Sequence, residues 1–229
     1  MRKLFQTAVL IICSATLAAA QAVDGYHRFE VFNGYSYFML ERPEPIGEGT
    51  RLEGFHGINT TATFNVKRYF GLQFDFSRHS KRSEFCAPDA PNLFDPKKEC
   101  FALIAPPEAI AAADDPHIRT SIYNFMGGVQ LKDNGKNAKL LKPFAHLVIG
   151  SALTRESAPV PSADPMSGQV VLESGTVSDW GPAGAIGGGL DIKLSDRIDL
   201  RAVQVDYHKA TIFARSTDNL RFGVGLVFR

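Results

Sequence analysis

Apolar and polar residues alternate near the C-terminal end of the chain. From Leu220 to Phe228 every second residue is large and apolar, while Arg221, two glycines and Val227 occupy the positions between them. Residues 71–77 repeat the pattern, with Leu or Phe at the even positions and Gln, Asp and Ser at the odd ones after the first glycine. A period of two sorts side chains onto opposite faces of a strand, whereas a helix would scatter them. Both segments are therefore predicted to be β-strands with one apolar face.

Eight segments of this kind follow one another, separated by clusters of Gly, Pro, Asn and Asp. Most have ten or more residues, which exceeds the usual length of about five or six for a soluble strand. A tilted strand that crosses a membrane needs about 9–11 residues. The predicted strands are 27–40, 54–66, 70–79, 117–131, 141–153, 181–194, 198–208 and 219–229.

The connections between these segments alternate in length. Those after the second, fourth and sixth are short (67–69, 132–140 and 195–197), and the other four have about 13, 37, 27 and 10 residues. Outer-membrane barrels have short periplasmic turns and longer external loops. The pattern predicts an all-β fold, an eight-stranded antiparallel up-and-down transmembrane β-barrel with both termini on the periplasmic side.

The N-terminus has the layout of a cleavable signal peptide. Arg2 and Lys3 precede an apolar run, and small residues follow it in an A-x-A pattern that allows cleavage after Ala20 or Ala22. A membrane anchor is the alternative, but the run is shorter than the ~20 residues that a spanning helix needs. We expect a signal peptide at 1–20 and a single barrel domain at 21–229.

Charge argues against nucleic acid as a partner. Removing Arg2 and Lys3 from the 25 basic residues leaves 23 against 24 acidic ones, a formal charge of −1. Binding of phosphate backbones needs clustered Lys and Arg. We therefore expect no nucleic-acid partner.

Two cysteines remain in the mature chain, Cys86 and Cys100. An even pair in an exported protein indicates a disulfide, which would restrain the long loop 80–116. Two free thiols or a metal pair are the alternatives, and the lack of a nearby His disfavours the metal. Within the same loop, Pro106 and the Ala-rich residues up to Ala113 could form one or two helical turns. The other long loop, 155–179, is rich in Ser, Pro and Gly and is expected to be mobile.

Because backbone groups in lipid must be paired, the sheet must close, with its apolar face outward and its polar face in the lumen. An eight-stranded barrel is just wide enough for side chains to fill it. We interpret the inward residues as a structural polar core, with a narrow pore or proton path as the alternative. Asp191 and Arg201 flank a short turn and could pair across adjacent strands. The predicted lumen cluster is Glu30, Gln73, Asp75, Asn124, Gln130, His146, Asp191, Lys193 and Arg201.

Two positions depart from simple alternation. Asn33 falls on the outward face of the first strand, between Val31 and Tyr35. Arg201 is out of phase with Gln204 in the seventh segment, which indicates a β-bulge between them.

Four segments together resemble a known family. They are FEVFNGYSY (29–37), YNFMGGVQ (123–130), GGGLD (187–191) and RAVQVDY (201–207), in this order and spacing. They are similar to the OmpA-like, opacity-type outer-membrane barrel proteins. The resemblance covers the mature chain and implies eight strands with four external loops. Roles in such proteins include envelope integrity, adhesion and small-solute leakage. The chain departs from the family in placing Phe228 penultimate, before Arg229.

The sequence contains no catalytic constellation. Its six His residues are scattered, and the glycines at 187–189 lack the strand–turn–helix context of a nucleotide loop. We expect no enzyme activity, no cofactor and no metal. The leading hypothesis is a monomeric protein of the bacterial outer membrane with a structural or surface-interaction role. Its partners would be outer-membrane lipid and lipopolysaccharide, which Arg78, Lys81 and Arg82 could touch, and an external partner at loops 80–116 and 155–179. The alternatives are a narrow channel for small solutes and an exported soluble ligand-binding barrel.

Overall fold

The computed structural model describes residues 25–43, 50–86, 101–102, 117–135, 139–163, 170–213 and 215–229. Within them the regular elements are all strands. These are β1 (Phe29–Pro43), β2 (Thr50–Lys67), β3 (Phe70–Cys86), β4 (Phe101–Ala102), β5 (His117–Lys132), β6 (Leu141–Ala163), β7 (Val170–Lys193), β8 (Ile198–Ile212) and β9 (Arg215–Phe228). No helix among the described residues is long and apolar enough to cross a membrane.

The strands form one sheet in the order β2-β1-β9-β8-β7-β6-β5-β3-β4, and β2 also pairs with β3. That last pairing closes the sheet, so eight strands form an antiparallel up-and-down barrel. The two-residue strand β4 lies outside the closed ring and pairs in parallel with the end of β3, at Phe85↔Phe101. The predicted eight-stranded barrel is confirmed. Closure pairs the backbone groups of the edge strands, which lipid requires.

The chain divides into two compact units. The first comprises Met1–His79, Tyr123–Ala152 and Trp180–Arg229, and its described residues include parts of all eight barrel strands and the short turns. The second comprises Ser80–Ile122 and Leu153–Asp179, and its described residues belong to β3, β4, β5, β6 and β7.

Several strands are longer than the sequence predicts, and the long extensions lie at the ends away from the short turns. β6 has 23 residues and β7 has 24. The described parts of the segment 155–179, which the sequence predicts to be a loop, are therefore strand, and the predicted bounds of this loop were wrong. The Ser157 and Thr176 hydroxyls are 2.9 Å apart, as expected of strands that face each other. Backbone pairing within a hairpin can thus extend strands through a sequence with little apolar alternation.

The two faces of the first unit have opposite character. On β3, Leu72 and Phe74 are 51% and 52% exposed, whereas Gln73 and Asp75 are buried. On β6, Leu147 and Ile149 point outward and His146 points inward. A soluble barrel has the reverse distribution, with its apolar residues inside. The outer surface therefore suits a hydrocarbon environment.

The two irregular positions behave as predicted. Asn33 lies on the outer face, where Thr60 Oγ1 is 3.4 Å from its Oδ1 atom. The pairing of β8 with β9 shifts register between Arg201 and Gln204, so the predicted bulge is confirmed. The extra residue lets both Arg201 and Gln204 point into the lumen although three positions separate them.

Other predictions fall outside the described residues. They are the signal peptide at 1–20, the helical turns beginning at Pro106, and the Cys86–Cys100 disulfide, since Cys100 is not described.

Candidate functional site

The guanidinium of Arg221, on β9, is buried in the barrel interior. Its Nη1 and Nη2 atoms each donate to Asp75 on β3 at 2.8 Å, and its Nε donates to Asp206 on β8 at 2.8 Å. The Arg221 side chain is 1% exposed, and both carboxylates are fully buried. The planar guanidinium matches carboxylate geometry, so two-point contacts of this kind are strong and directional. Arg221 thus ties three strands together through the lumen.

Asp206 extends this contact towards β6. Its carboxylate accepts from Gln204 Nε2 at 2.7 Å and lies 2.8 Å from His146 Nε2. Because an ionised carboxylate can only accept, Nε2 of the imidazole carries the proton. The other ring nitrogen, Nδ1, lies 3.5 Å from Gln73 Nε2. Gly187 makes room for the carboxylate, since a Cβ there would lie 2.1 Å from its Oδ1 atom.

A second arginine, Arg201 on β8, lies between two phenyl rings. Its guanidinium carbon is 4.3 Å from the centre of the Phe32 ring and 3.9 Å from that of Phe144. Its Nε donates to Asp191 at 2.8 Å, and its Nη1 donates to Gln204 at 2.8 Å. Arginine combines ring stacking with in-plane hydrogen bonds in this way, whereas lysine cannot. The Asp191–Arg201 pair that the sequence suggested is present in the structure.

Ion pairs also fill the lumen at the strand ends next to the short turns. Glu30 contacts Lys132 Nζ at 2.5 Å and Arg229 Nε at 2.6 Å. Lys132 Nζ also contacts Asp191 Oδ2, at 3.1 Å. Asp199 contacts Arg229 and Lys142 Nζ, the latter at 3.1 Å. These contacts join the Arg201 cluster to the barrel mouth.

The network is balanced in charge. Five carboxylates face five cations, and all ten side chains are at most 3% exposed. Buried charges are tolerated only when paired and hydrogen-bonded, so this balance allows so many charges to be buried. The residues are Glu30, Asp75, Asp191, Asp199, Asp206, Lys132, Lys142, Arg201, Arg221 and Arg229.

Of the nine residues predicted to form a lumen cluster, the structure buries eight and places them in the barrel interior: Glu30, Gln73, Asp75, Asn124, Gln130, His146, Asp191 and Arg201. Lys193 lies apart from them. Its side chain is 26% exposed and pairs at 2.8 Å with Asp196, which belongs to the following turn. A strand end puts its last inward side chain at the water-exposed mouth.

The sequence prediction omitted several members of the network. Arg221 and Asp206 carry the necessary signal, because both alternate with outward apolar residues. Lys132 and Arg229 lie at or beyond the predicted strand ends, where alternation is hard to extend. Arg229, which departs from the family pattern, supplies an inward cation whose side chain is 1% exposed.

Several buried polar atoms in the interior have no hydrogen-bond partner among the described residues. They include the side-chain oxygens of Gln73, Asn124 and Gln130 and both ring nitrogens of His208. No group of three or more His, Cys, Asp or Glu residues in the described part of the chain could hold a metal ion. The arrangement is a charge-compensated packing of the lumen.

Several solved structures are similar to this chain. Neisserial surface protein A superposes with a TM-score of 0.51 at 10% identity, over 90% of this chain and 99% of that one. Ail, the attachment invasion locus protein of Yersinia pestis, gives 0.47 at 12% identity, over 90% and 100%. OprG of Pseudomonas aeruginosa gives 0.41 at 12% identity, over 87% and 94%.

No family model matches this sequence, and no curated protein matches it. The closed eight-stranded barrel and its similarity to Neisserial surface protein A confirm the resemblance to OmpA-like proteins at the level of the fold alone. A closed sheet of eight antiparallel strands, apolar outside and ionic inside, is built to cross lipid. This chain has the fold of the eight-stranded transmembrane β-barrels of the bacterial outer membrane.

Proposed function

We propose that this protein is a closed barrel of the outer membrane that serves the envelope as a structural and surface-interaction protein. The observation that carries the proposal is the balanced ion-pair network. Arg221 spans from β3 to β8 through the lumen, and its contacts measure 2.8 Å. A solute path would have to break several charge-assisted hydrogen bonds.

Planar-bilayer recording tests whether the barrel is closed. The wild-type protein is expected to give no stable conductance. Replacing Arg221 by Gly together with Asp75→Asn and Asp206→Asn removes the central contact without leaving a lone charge, and is expected to produce small openings. Arg78→Gly, on the exposed outer face, is the matched control and is expected to stay silent. Stable conductance of the wild type would favour the channel alternative.

Membrane residence is tested by fractionation and heat-modifiability. The protein is expected in the outer-membrane fraction, and unboiled samples are expected to migrate differently from boiled ones in a gel. The exposed apolar belt supports this proposal, with Ile149 at 70% exposure and Leu147 at 53%. Recovery from the periplasm without detergent would favour the soluble ligand-binding alternative.

Surface interaction would be carried by 80–116 and 155–179, at the strand ends away from the short turns. Loop and strand ends of this kind carry specificity in barrels that share a scaffold. Protease added to intact cells is expected to cut within these two stretches and to leave the remainder protected. If protease added to intact cells cuts at the short turns instead, the orientation is the reverse of the proposed one.

A further inference from the structure

The barrel end that carries the short turns is strongly basic. We define the short-turn rim as residues 25–28, 67–69, 133–135, 139–140 and 193–198, all in the first unit. Among these described residues, six basic side chains accompany two acidic ones. They are Arg28, Lys67, Arg68, Lys139, Lys193 and Arg197, against Asp133 and Asp196.

Both acidic residues already have cationic partners on the rim. Arg68 donates to Asp133 through Nε at 2.8 Å and through Nη2 at 2.9 Å. These hydrogen bonds hold the pKa of Asp133 below its usual value. Lys193 pairs with Asp196 at 2.8 Å. Among the described residues, these two carboxylates leave Lys67, Lys139 and Arg197 without an acidic partner on the rim.

Three of these cations are distributed one to each short turn. Lys67 lies at the β2–β3 turn, Lys139 at the β5–β6 turn and Arg197 at the β7–β8 turn, and all three are exposed. None of the three has an ion-pair partner within the described part of the chain. They therefore surround the barrel end and do not form one compact patch.

Backbone hydrogen bonds order much of the rim. Asn134 N donates to Arg68 O at 2.9 Å, and His27 N donates to Asn134 O at 3.0 Å. Arg68 also lies over the Tyr69 ring, 5.0 Å from its centre. Because these elements are hydrogen-bonded to one another, the rim presents its cations from a pre-ordered frame.

Each cation is close in sequence to an exposed apolar residue. Tyr69, two residues after Lys67, is 56% exposed; Leu140, directly after Lys139, is 63% exposed; Leu194, three residues before Arg197, is 59% exposed. In a bilayer such cations lie at the level of the headgroups, with their stems along the apolar surface. Positions spread around the barrel suit separate small ligands better than one large one.

We propose that the short-turn rim binds anionic glycerophospholipid in the leaflet that faces the short turns. Lys67, Lys139 and Arg197 would each contact the phosphate region of a lipid whose acyl chains cover the neighbouring belt residues. The inference rests on the proposed residence in a membrane. It adds a lipid preference that is specific to this end of the barrel.

Quenching of a single tryptophan tests the proposal at the rim. The full mature chain carrying Tyr69→Trp and Trp180→Phe is folded into phosphatidylcholine vesicles that contain either brominated phosphatidylglycerol or brominated phosphatidylcholine. The ratio of quenching by brominated phosphatidylglycerol to quenching by brominated phosphatidylcholine at position 69 is expected to show a roughly fivefold preference for phosphatidylglycerol. One basic side chain gives a preference of this size near an anionic surface. Adding Lys67→Gln, Lys139→Gln and Arg197→Gln is expected to bring the ratio close to one. A salt concentration of 1 M, which shortens the screening length to about 3 Å, should also reduce it.

The matched control changes three exposed cations away from the short turns, with Arg78→Gln, Lys209→Gln and Arg215→Gln. This variant is expected to keep the preference for phosphatidylglycerol at position 69. Equal quenching by both lipids, or a preference that survives the rim substitutions, overturns the proposal. If no lipid preference is seen, and the wild type sediments with purified peptidoglycan while the rim variant does not, the rim binds the cell wall instead. A gel-shift assay on the same vesicles separates failure of the lipid preference from failure of the membrane proposal. A chain that shows no heat-modifiable folded form refutes the membrane proposal as well.

Discussion

Replacing Arg221 by Met removes the central cation of the lumen while keeping a long apolar stem. Asp75 then loses two hydrogen bonds and Asp206 loses one, each of 2.8 Å. Asp206 keeps Gln204 and His146, but among the described residues Asp75 keeps only the Asn59 amide, at 3.2 Å. The substitution therefore leaves a buried carboxylate largely uncompensated.

Two routes give a magnitude for this loss. Three charge-assisted hydrogen bonds at about 1.5–3 kcal/mol each would total roughly 5–9 kcal/mol. That sum ignores the desolvation that Arg221 itself no longer suffers. Removal of one partner from a buried ion pair costs about 3–5 kcal/mol when measured directly. We expect a loss of about 3–5 kcal/mol in the free energy of unfolding.

Urea unfolding in lipid vesicles, followed by Trp180 fluorescence and by gel shift, measures the effect. Arg78→Met is the matched control, because Arg78 is exposed and lies over the Tyr123 ring at 5.5 Å; we expect it to cost at most about 1 kcal/mol. Adding Asp75→Asn to the Arg221→Met variant should recover part of the loss. A loss for Arg221→Met no larger than that of the control would refute the reasoning.

Three further predictions concern the outer face, the rim and the sheet. Ile149 is 70% exposed, and Ile149→Arg is expected to lower the free energy of unfolding in vesicles by about 2–4 kcal/mol because arginine must enter hydrocarbon. An unchanged free energy in urea unfolding would contradict a lipid-facing surface. Arg68 lowers the pKa of the Asp133 carboxyl, so the Asp133 carboxylate stabilises the fold above its unfolded pKa of about 3.9 and loses this contribution as pH falls through its lower folded pKa. The loss of stability is small because the pair is exposed. In a pH series of unfolding midpoints, Asp133→Asn should abolish this pH dependence. Gly34→Ala would place a Cβ 2.7 Å from the Phe32 ring and nearer still to a backbone oxygen. We therefore expect a loss of at least about 1–3 kcal/mol in the free energy of unfolding, or failure to fold. A wild-type unfolding midpoint would show that the strand pair can separate.

The number of strands and the direction of their side chains were determined by the sequence itself. Alternation with a period of two is a local property, so Gln73 and Asp75 could be assigned to the lumen without knowing any partner. The bulge between Arg201 and Gln204 was also readable, because a change of phase within one strand needs no second strand to detect it. The exception is Lys193, whose inward phase could not show that its strand ends at a water-exposed mouth.

Partners within the lumen were decided by the tertiary structure. Arg221 and Asp75 are 146 positions apart, and their contact depends on the register and closure of the whole sheet. Arg229 meets Glu30 for the same reason. Strand lengths beyond the apolar belt also depended on pairing, as the extended β6 and β7 show. Alternation fixes which face a side chain occupies, but only closure of the barrel brings opposite walls close enough for their charges to neutralise one another.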